Sequence, residues 1–194
     1  MDDVTIAELV HLSEAAGDAI LAVYGSDFDV QTKDDTSPLT QADLAAHRII
    51  EAGLKELTPD IPVISEESSP PSFAVRKQWQ RYWLVDPLDG TKEFVNRNGE
   101  FTVNIALIED GQPVFGVVGV PVQDRTYVGD VPRRQCWCVE GRGASAVRRD
   151  LAGRSMHAGQ GVTIVASRSH GGERLETFLG ALEEQFAPVQ RTPV

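Results

Sequence analysis

The chain predicts an α+β fold, and three observations predict it. Residues 6–24 and 40–57 carry helical periodicity. From residue 61 onward the chain breaks into short apolar runs separated by turn residues, with a hairpin signal at Glu109-Asp110-Gly111-Gln112. The helical segments precede the strand segments instead of alternating with them. That order selects a layered domain with a largely antiparallel meander over a doubly wound sheet.

Ile6, Leu9, Val10, Ala16, Ile20 and Val23 fall near one stripe, and Gly25 ends the pattern, so a helix is expected over 6–24. In the second segment Thr40 is a good N-cap with Asp43 three residues on, as in a capping box. Leu44, Ile49, Ile50 and Leu54 supply the apolar face, and Thr58-Pro59-Asp60 stops the helix. Ile61–Ser65 reads as a short strand ending at Glu66-Glu67, followed by a Ser- and Pro-rich loop to Phe73. Arg81–Val85 is a buried strand that Pro87 should terminate. A short helix is expected over Lys92–Asn96, and strands over 101–108, 114–120, 125–131 and 136–140. Gly116 and Gly119 hint at close backbone packing. A last strand at 162–166 leads through Ser167-Arg168-Ser169-His170 into a helix over 173–186. Two domains are expected, an N-terminal α+β domain over 1–148 and the start of an α/β domain over 149–194.

The 194 residues carry a net charge of −11, and 41% are hydrophobic. That charge excludes nucleic-acid binding, which needs a basic footprint, and electrostatic docking on an anionic membrane. Two cysteines, Cys136 and Cys138, are too few for a disulfide framework and lack further ligands at zinc-finger spacing; they read as packed free thiols. Without a basic, apolar leader or a long apolar run, a cytoplasmic protein is expected. Gly141-Arg142-Gly143-Ala144-Ser145-Ala146 matches a loose dinucleotide fingerprint but lacks a following helix, so it is read as a turn.

The chemistry centres on Trp83-Leu84-Val85-Asp86-Pro87-Leu88-Asp89-Gly90-Thr91. Two carboxylates three residues apart lie at a strand end. Gly90 permits a tight backbone, and a helix start beyond it aims N–H groups at an anion. Carboxylates bind hard cations, so the combination points to metal-assisted phosphate chemistry. Asp-Pro and Asp-Gly are also common turn punctuation. As a whole the stretch resembles the Asp-Pro-x-Asp-Gly-Thr motif of the inositol monophosphatase superfamily. Lys92-Glu93-Phe94 resembles its CysQ-type branch, the 3′(2′),5′-bisphosphate nucleotidases. Pro38-Leu39-Thr40-Gln41-Ala42-Asp43 and Val63-Ile64-Ser65-Glu66-Glu67 resemble two further segments of that family, in order.

The resemblance implies a layered αβαβα sandwich with its second α/β layer, the domain over 149–194, incomplete, and a Mg²⁺-dependent phosphomonoesterase whose metal-binding domain is 1–148. Glu66, Asp86, Asp89 and the Leu88 carbonyl would bind Mg²⁺, of which the family uses two or three ions. Asp43 and Thr91 would form a hydrogen-bonded pair that, with Glu66, orients and deprotonates the attacking water. Gly90 and Thr91 would hold the phosphate through backbone N–H groups, beside Glu66, Leu88 and Asp89. Ser167 and His170, in what reads equally well as a strand-to-helix turn, would contact the nucleotide, with Arg168 a weaker candidate. The implied substrate is 3′-phosphoadenosine 5′-phosphate (PAP) or its sulfated relative (PAPS), cleaved to AMP and phosphate in sulfate assimilation; an inositol phosphatase or an inactive metal-binding module are the alternatives. A small nucleotide bisphosphate is the expected partner.

Physics agrees on the cation: one pair of like charges about 4 Å apart at an effective dielectric near 20 costs roughly 4 kcal/mol. The family's later Gly-Ser-Ser-Leu-Lys-like segment and Trp-Asp pair have no counterpart here, so an incomplete second metal site, weak activity, an unpartnered 162–166 strand and self-association are expected.

Overall fold

The computed structural model describes residues 1–26, 38–157, 159–166, 172–186 and 188–193. They divide into two compact units, Met1–Leu151 and Ala152–Val194. The expected boundary lay at 148.

The first unit opens with α1 (Asp3–Tyr24) and α2 (Pro38–Leu57), which pack on one face of a seven-stranded sheet. Asp2 caps α1, its carboxylate accepting from the Thr5 N–H at 2.8 Å. Pro38 starts α2 two residues earlier than expected. Thr40 is therefore inside the first turn and is not its cap, and Asp43 stands in the second turn without a capping role.

The sheet runs β1 (Val63–Ser65), β2 (Arg81–Asp89), β3 (Thr102–Glu109), β4 (Gln112–Val120), β5 (Arg125–Asp130), β6 (Gln135–Glu140) and β7 (Val147–Leu151), neighbours in chain order. Only β1–β2 is parallel; the rest is an antiparallel meander. Two short helices interrupt it, α3 (Phe73–Arg76) and α4 (Thr91–Val95). The β3–β4 hairpin closes through Asp110-Gly111, both at positive φ (49° and 74°), as a two-residue turn requires.

Leu9, Ile20, Ile50 and Leu54 meet Trp83, Val85, Ile105 and Val117 in one core. Fully buried Trp83 donates its indole N–H to Thr58 Oγ1 at 2.9 Å, tying β2 to the end of α2. Gly119 allows α1 to approach the sheet, since a Cβ there would strike the Ser13 hydroxyl; a Cβ at Gly116 would meet only the Ile105 carbonyl oxygen, at an ordinary 3.9 Å, so it has no such role. Of the cysteines, Cys138 is buried, Cys136 exposed, and both are free.

Two strand expectations need correction. β2 does not stop at Val85 but continues to Asp89. Asp86 pairs with Asn104 and Asp89 with Thr102, so the ladder absorbs one extra residue in a bulge at Pro87-Leu88. A proline without an N–H to donate is tolerated there. β7 was not foreseen: Val147-Arg148-Arg149-Asp150-Leu151 is exposed throughout and is held by pairing with β6 and by the Arg148 guanidinium 4.0 Å above the Trp137 ring.

In the second unit β8 (Val162–Ala166) pairs in parallel with β9 (Val189–Pro193), and α5 (Glu173–Glu183) packs on β9. The expectation that 162–166 lacks a neighbour is therefore wrong. The polar sequence of β9 hid a strand that backbone pairing supports.

Candidate active site

The bulge in β2 gathers the acidic residues. Glu66 follows the last residue of β1, beside Asp86 on the adjacent strand, and its N–H donates to the Val85 carbonyl at 3.0 Å. The Leu88 N–H lies near enough to Asp86 to oppose in part the upward push on its carboxyl. The Leu88 side chain is buried in the core, while Asp89 is exposed. Gly90 follows at φ 97°, ψ 47°, and Thr91 opens α4. Packing fixes α4: Phe94 meets Tyr24 and Phe101 with ring centroids 5.3 and 5.5 Å apart. Arg97 donates to the carbonyls of Tyr24 and Ser26 at 3.0 and 2.7 Å, closing the open end of α1.

Asp43 reaches this region from α2. Its carboxyl is pushed up to about 8, first by burial and then by repulsion from Glu67, Asp86 and Glu66. The Asp86 carboxyl is pushed up to about 6, first by burial and then by Glu66 and Asp89. Asp43 Oδ1 is buried without a hydrogen-bond partner. None of the five carboxylates is in an ion pair with another described residue.

These observations test the fit to a divalent cation. The donors are hard oxygens in negative surplus, with one orphaned oxygen, as a Mg²⁺ site needs. The carboxyls face one another closely enough for Glu67 to raise the proton affinity of Asp43, and Glu66 that of Asp86. Among the described residues no three potential ligands form a ready-made cage. The donor chemistry fits a divalent cation, and the adjacent ends of β1 and β2 set Glu66 beside Asp86.

The structure brings Asp43, Glu66, Asp86, Leu88, Asp89, Gly90 and Thr91 into one region. No Thr91–Asp43 hydrogen bond is present among the described residues; Asp43 faces Glu67 instead. Ser167, Arg168 and His170 lie outside the described residues. Three participants escaped the sequence reading. Glu67 is the partner of Asp43. Asn104 donates through Nδ2 to Asp89 Oδ2 at 3.0 Å. His47, one turn after Asp43, lies with Nδ1 2.9 Å from the buried Ser65 hydroxyl and so ties α2 to β1. Its i+4 spacing from Asp43 was the available signal.

A cleft of about 520 Å³ runs from Glu66, Asp86 and Asn104 over Ile64, Leu84 and Ala106 to Arg76. Acid at one end and an apolar floor suit a small molecule with a charged group. No helix among the described residues is long and apolar enough to cross a membrane.

The inositol monophosphatase family model matches residues 1–184. The chain is 49% identical over 179 residues to the 3′(2′),5′-bisphosphate nucleotidase CysQ of Escherichia coli O157:H7, covering 91% of this chain and 69% of that protein. It is 47% identical over 184 residues to CysQ of Salmonella typhimurium, covering 92% and 70%. Among solved structures, CysQ from Bacteroides thetaiotaomicron superposes with a TM-score of 0.80 at 37% identity, over 97% of this chain and 71% of that one.

Proposed function

The chain belongs to the inositol monophosphatase family, and from that premise we propose that it is a Mg²⁺-dependent 3′(2′),5′-bisphosphate nucleotidase. It would hydrolyse PAP or PAPS at the 3′-phosphate and so serve sulfate assimilation. The observation that carries this reading is the crowding of carboxylates around the β2 bulge, with Asp43 and Asp86 both held above their ordinary range. The relatives' printed activity then selects the substrate.

In this reading Glu66, Asp86, Asp89 and the Leu88 carbonyl hold the cation. When bound, Mg²⁺ supplies the positive charge that cancels the carboxylates and polarises the phosphoryl group. Gly90 and Thr91 present backbone N–H groups to the phosphate oxygens; the left-handed turn at Gly90 is what frees them. Asp43 and Thr91 act as a pair that, with Glu66, orients and deprotonates the attacking water. In the metal-free chain a carboxyl held near 8 is mostly protonated at neutral pH, so Asp43 becomes a proton acceptor only when a bound cation lowers it. Hydrolysis proceeds in one displacement, without a covalent protein intermediate. Ser167 and His170 contact the nucleotide.

Phosphate release from PAP, with and without Mg²⁺ and against inositol 1-phosphate, tests the proposal. Mg²⁺-dependent release with PAP preferred supports it. Preference for inositol 1-phosphate overturns the substrate assignment, and no release from either overturns the activity.

A further inference from the structure

Asn104 is uncharged, yet it stands among the acids. The β2–β3 register pairs it with Asp86, and across the bulge its side chain reaches Asp89, whose own partner is Thr102. It lines the acidic end of the cleft together with Glu66 and Asp86. Its amide is used at both ends. Nδ2 donates to Asp89 Oδ2 at 3.0 Å, and Oδ1 accepts from Thr102 Oγ1 at 3.2 Å.

That relay has a direction. A carboxylate only accepts, so the amide must present its NH₂ to Asp89. Reversed, its carbonyl dipole would face the Asp89 charge. The Thr102 hydroxyl, which can donate or accept, follows the choice set by the carboxylate and, by donating to Oδ1, holds the amide in it. One oxygen of Asp89 is then held by the amide and the other is left free. An exposed aspartate at the end of a strand otherwise samples several rotamers, and each must be given up when a ligand binds.

We propose that Asn104, steadied by Thr102, is a positioning residue: it holds the Asp89 carboxylate in the rotamer that offers its second oxygen to the divalent cation. The inference rests on the metal reading above. It assigns Asn104 no contact with the cation or the substrate. An amide also adds no charge opposite Asp86, where a carboxylate would worsen the repulsion already raising that group.

A tether that merely closed the bulge would lower thermal stability and leave cation affinity alone. The test is therefore a Mn²⁺ binding isotherm read by electron paramagnetic resonance on the metal-free full chain, with Mg²⁺ competition. Asn104→Ala and Asn104→Leu, which keeps the branched shape, are expected to weaken the apparent Kd about tenfold, within the range for a residue supporting a metal ligand. Excess Mg²⁺ should restore kcat, with KM for PAP unchanged. Thr102→Val, which keeps the amide but frees its rotation, should weaken binding by a smaller factor, and Thr102→Ser should restore the parent Kd. Where Asn104→Ala loses its fold, the two Thr102 variants carry the test. Parent-like Kd in folded Asn104 variants overturns this inference and leaves the metal reading standing. A parent chain that binds no Mn²⁺ overturns both.

Discussion

Gly90→Ala probes the turn on which the site depends. Glycine is required there twice over. Its φ of 97° lies in the left-handed region, where an L-residue costs roughly 1–2 kcal/mol. A Cβ would stand 3.1 Å from both the Glu100 carbonyl oxygen and the Phe101 Cα, and 3.3 Å from the Phe101 Cβ. Two of these are backbone atoms of the segment entering β3, and Phe101 is fully buried, so nothing swings aside. Such crowding adds about 1 kcal/mol, at the low end for overpacking. Against this, alanine stiffens the unfolded chain by roughly 0.4–1 kcal/mol. The net loss is about 2 kcal/mol, or ~4–8 °C in melting temperature for a unit of this size. Activity should fall further than stability. Relief of the clash must move Asp89 or Thr91, and a displacement of about 1 Å in a site costs on the order of 100-fold. Urea denaturation and kcat/KM on PAP measure the two effects. A variant within about 0.5 kcal/mol and threefold of the parent refutes the argument, because that is the scatter of ordinary surface substitutions.

Asp89→Asn keeps the size of a proposed ligand and removes its charge. The Mg²⁺ concentration for half-maximal activity should rise at least 10–100-fold, the range for residues that only support a ligand; an unchanged Mg²⁺ dependence removes Asp89 from the ligand set. A third expectation concerns the chelated protein and pH. Asp43 and Asp86 hold protons in the folded state that the unfolded chain releases near 3.8, so the folded chain binds more protons between there and about 6 for Asp86 and about 8 for Asp43. Stability is then greatest on the acid side of this window and declines as pH rises through it. The slope is at most about 1.4 kcal/mol per pH unit for one proton, and solvent screening lowers it. Urea midpoints at pH 5 and pH 8 in EDTA should show the decline, and Mg²⁺ should restore the loss at pH 8. A midpoint that rises with pH in EDTA contradicts the electrostatics described.

Much of the fold was legible because it rests on local rules. The stripe Ile6-Leu9-Val10-Ala16-Ile20 is buried in α1, and Asp110-Gly111 closes the β3–β4 hairpin. What escaped depends on distant partners. Pro87 ends a strand by any local rule, yet β3 supplies the pairing that carries β2 past it. β7 and β9 have no apolar alternation and exist because a neighbouring edge needed pairing. Within the site the motif singled out the acids, while the identity of their neighbours came from tertiary placement. Glu66 and Glu67 are adjacent, and only the turn after β1 sends one toward Asp86 and the other toward Asp43. Asn104 left a faint signal, a polar residue amid Val103, Ile105 and Leu107, but its partner lies 15 residues away.

The bulge at Pro87-Leu88 is a matter of parity. In an unbroken strand, side chains three residues apart point to opposite faces. Asp86 and Asp89 would then straddle the sheet, one of them buried beneath the helices. The extra residue turns an odd interval into an even one: opposite the pair stand Asn104 and Thr102, two apart and therefore on one side. The motif is thus a spacing device as much as a set of side chains. Substitutions within it remove one group at a time. Straightening the bulge at unchanged length would reverse the direction of Asp89 and of everything that follows until the register recovers. The irregularity of this segment is less negotiable than its composition.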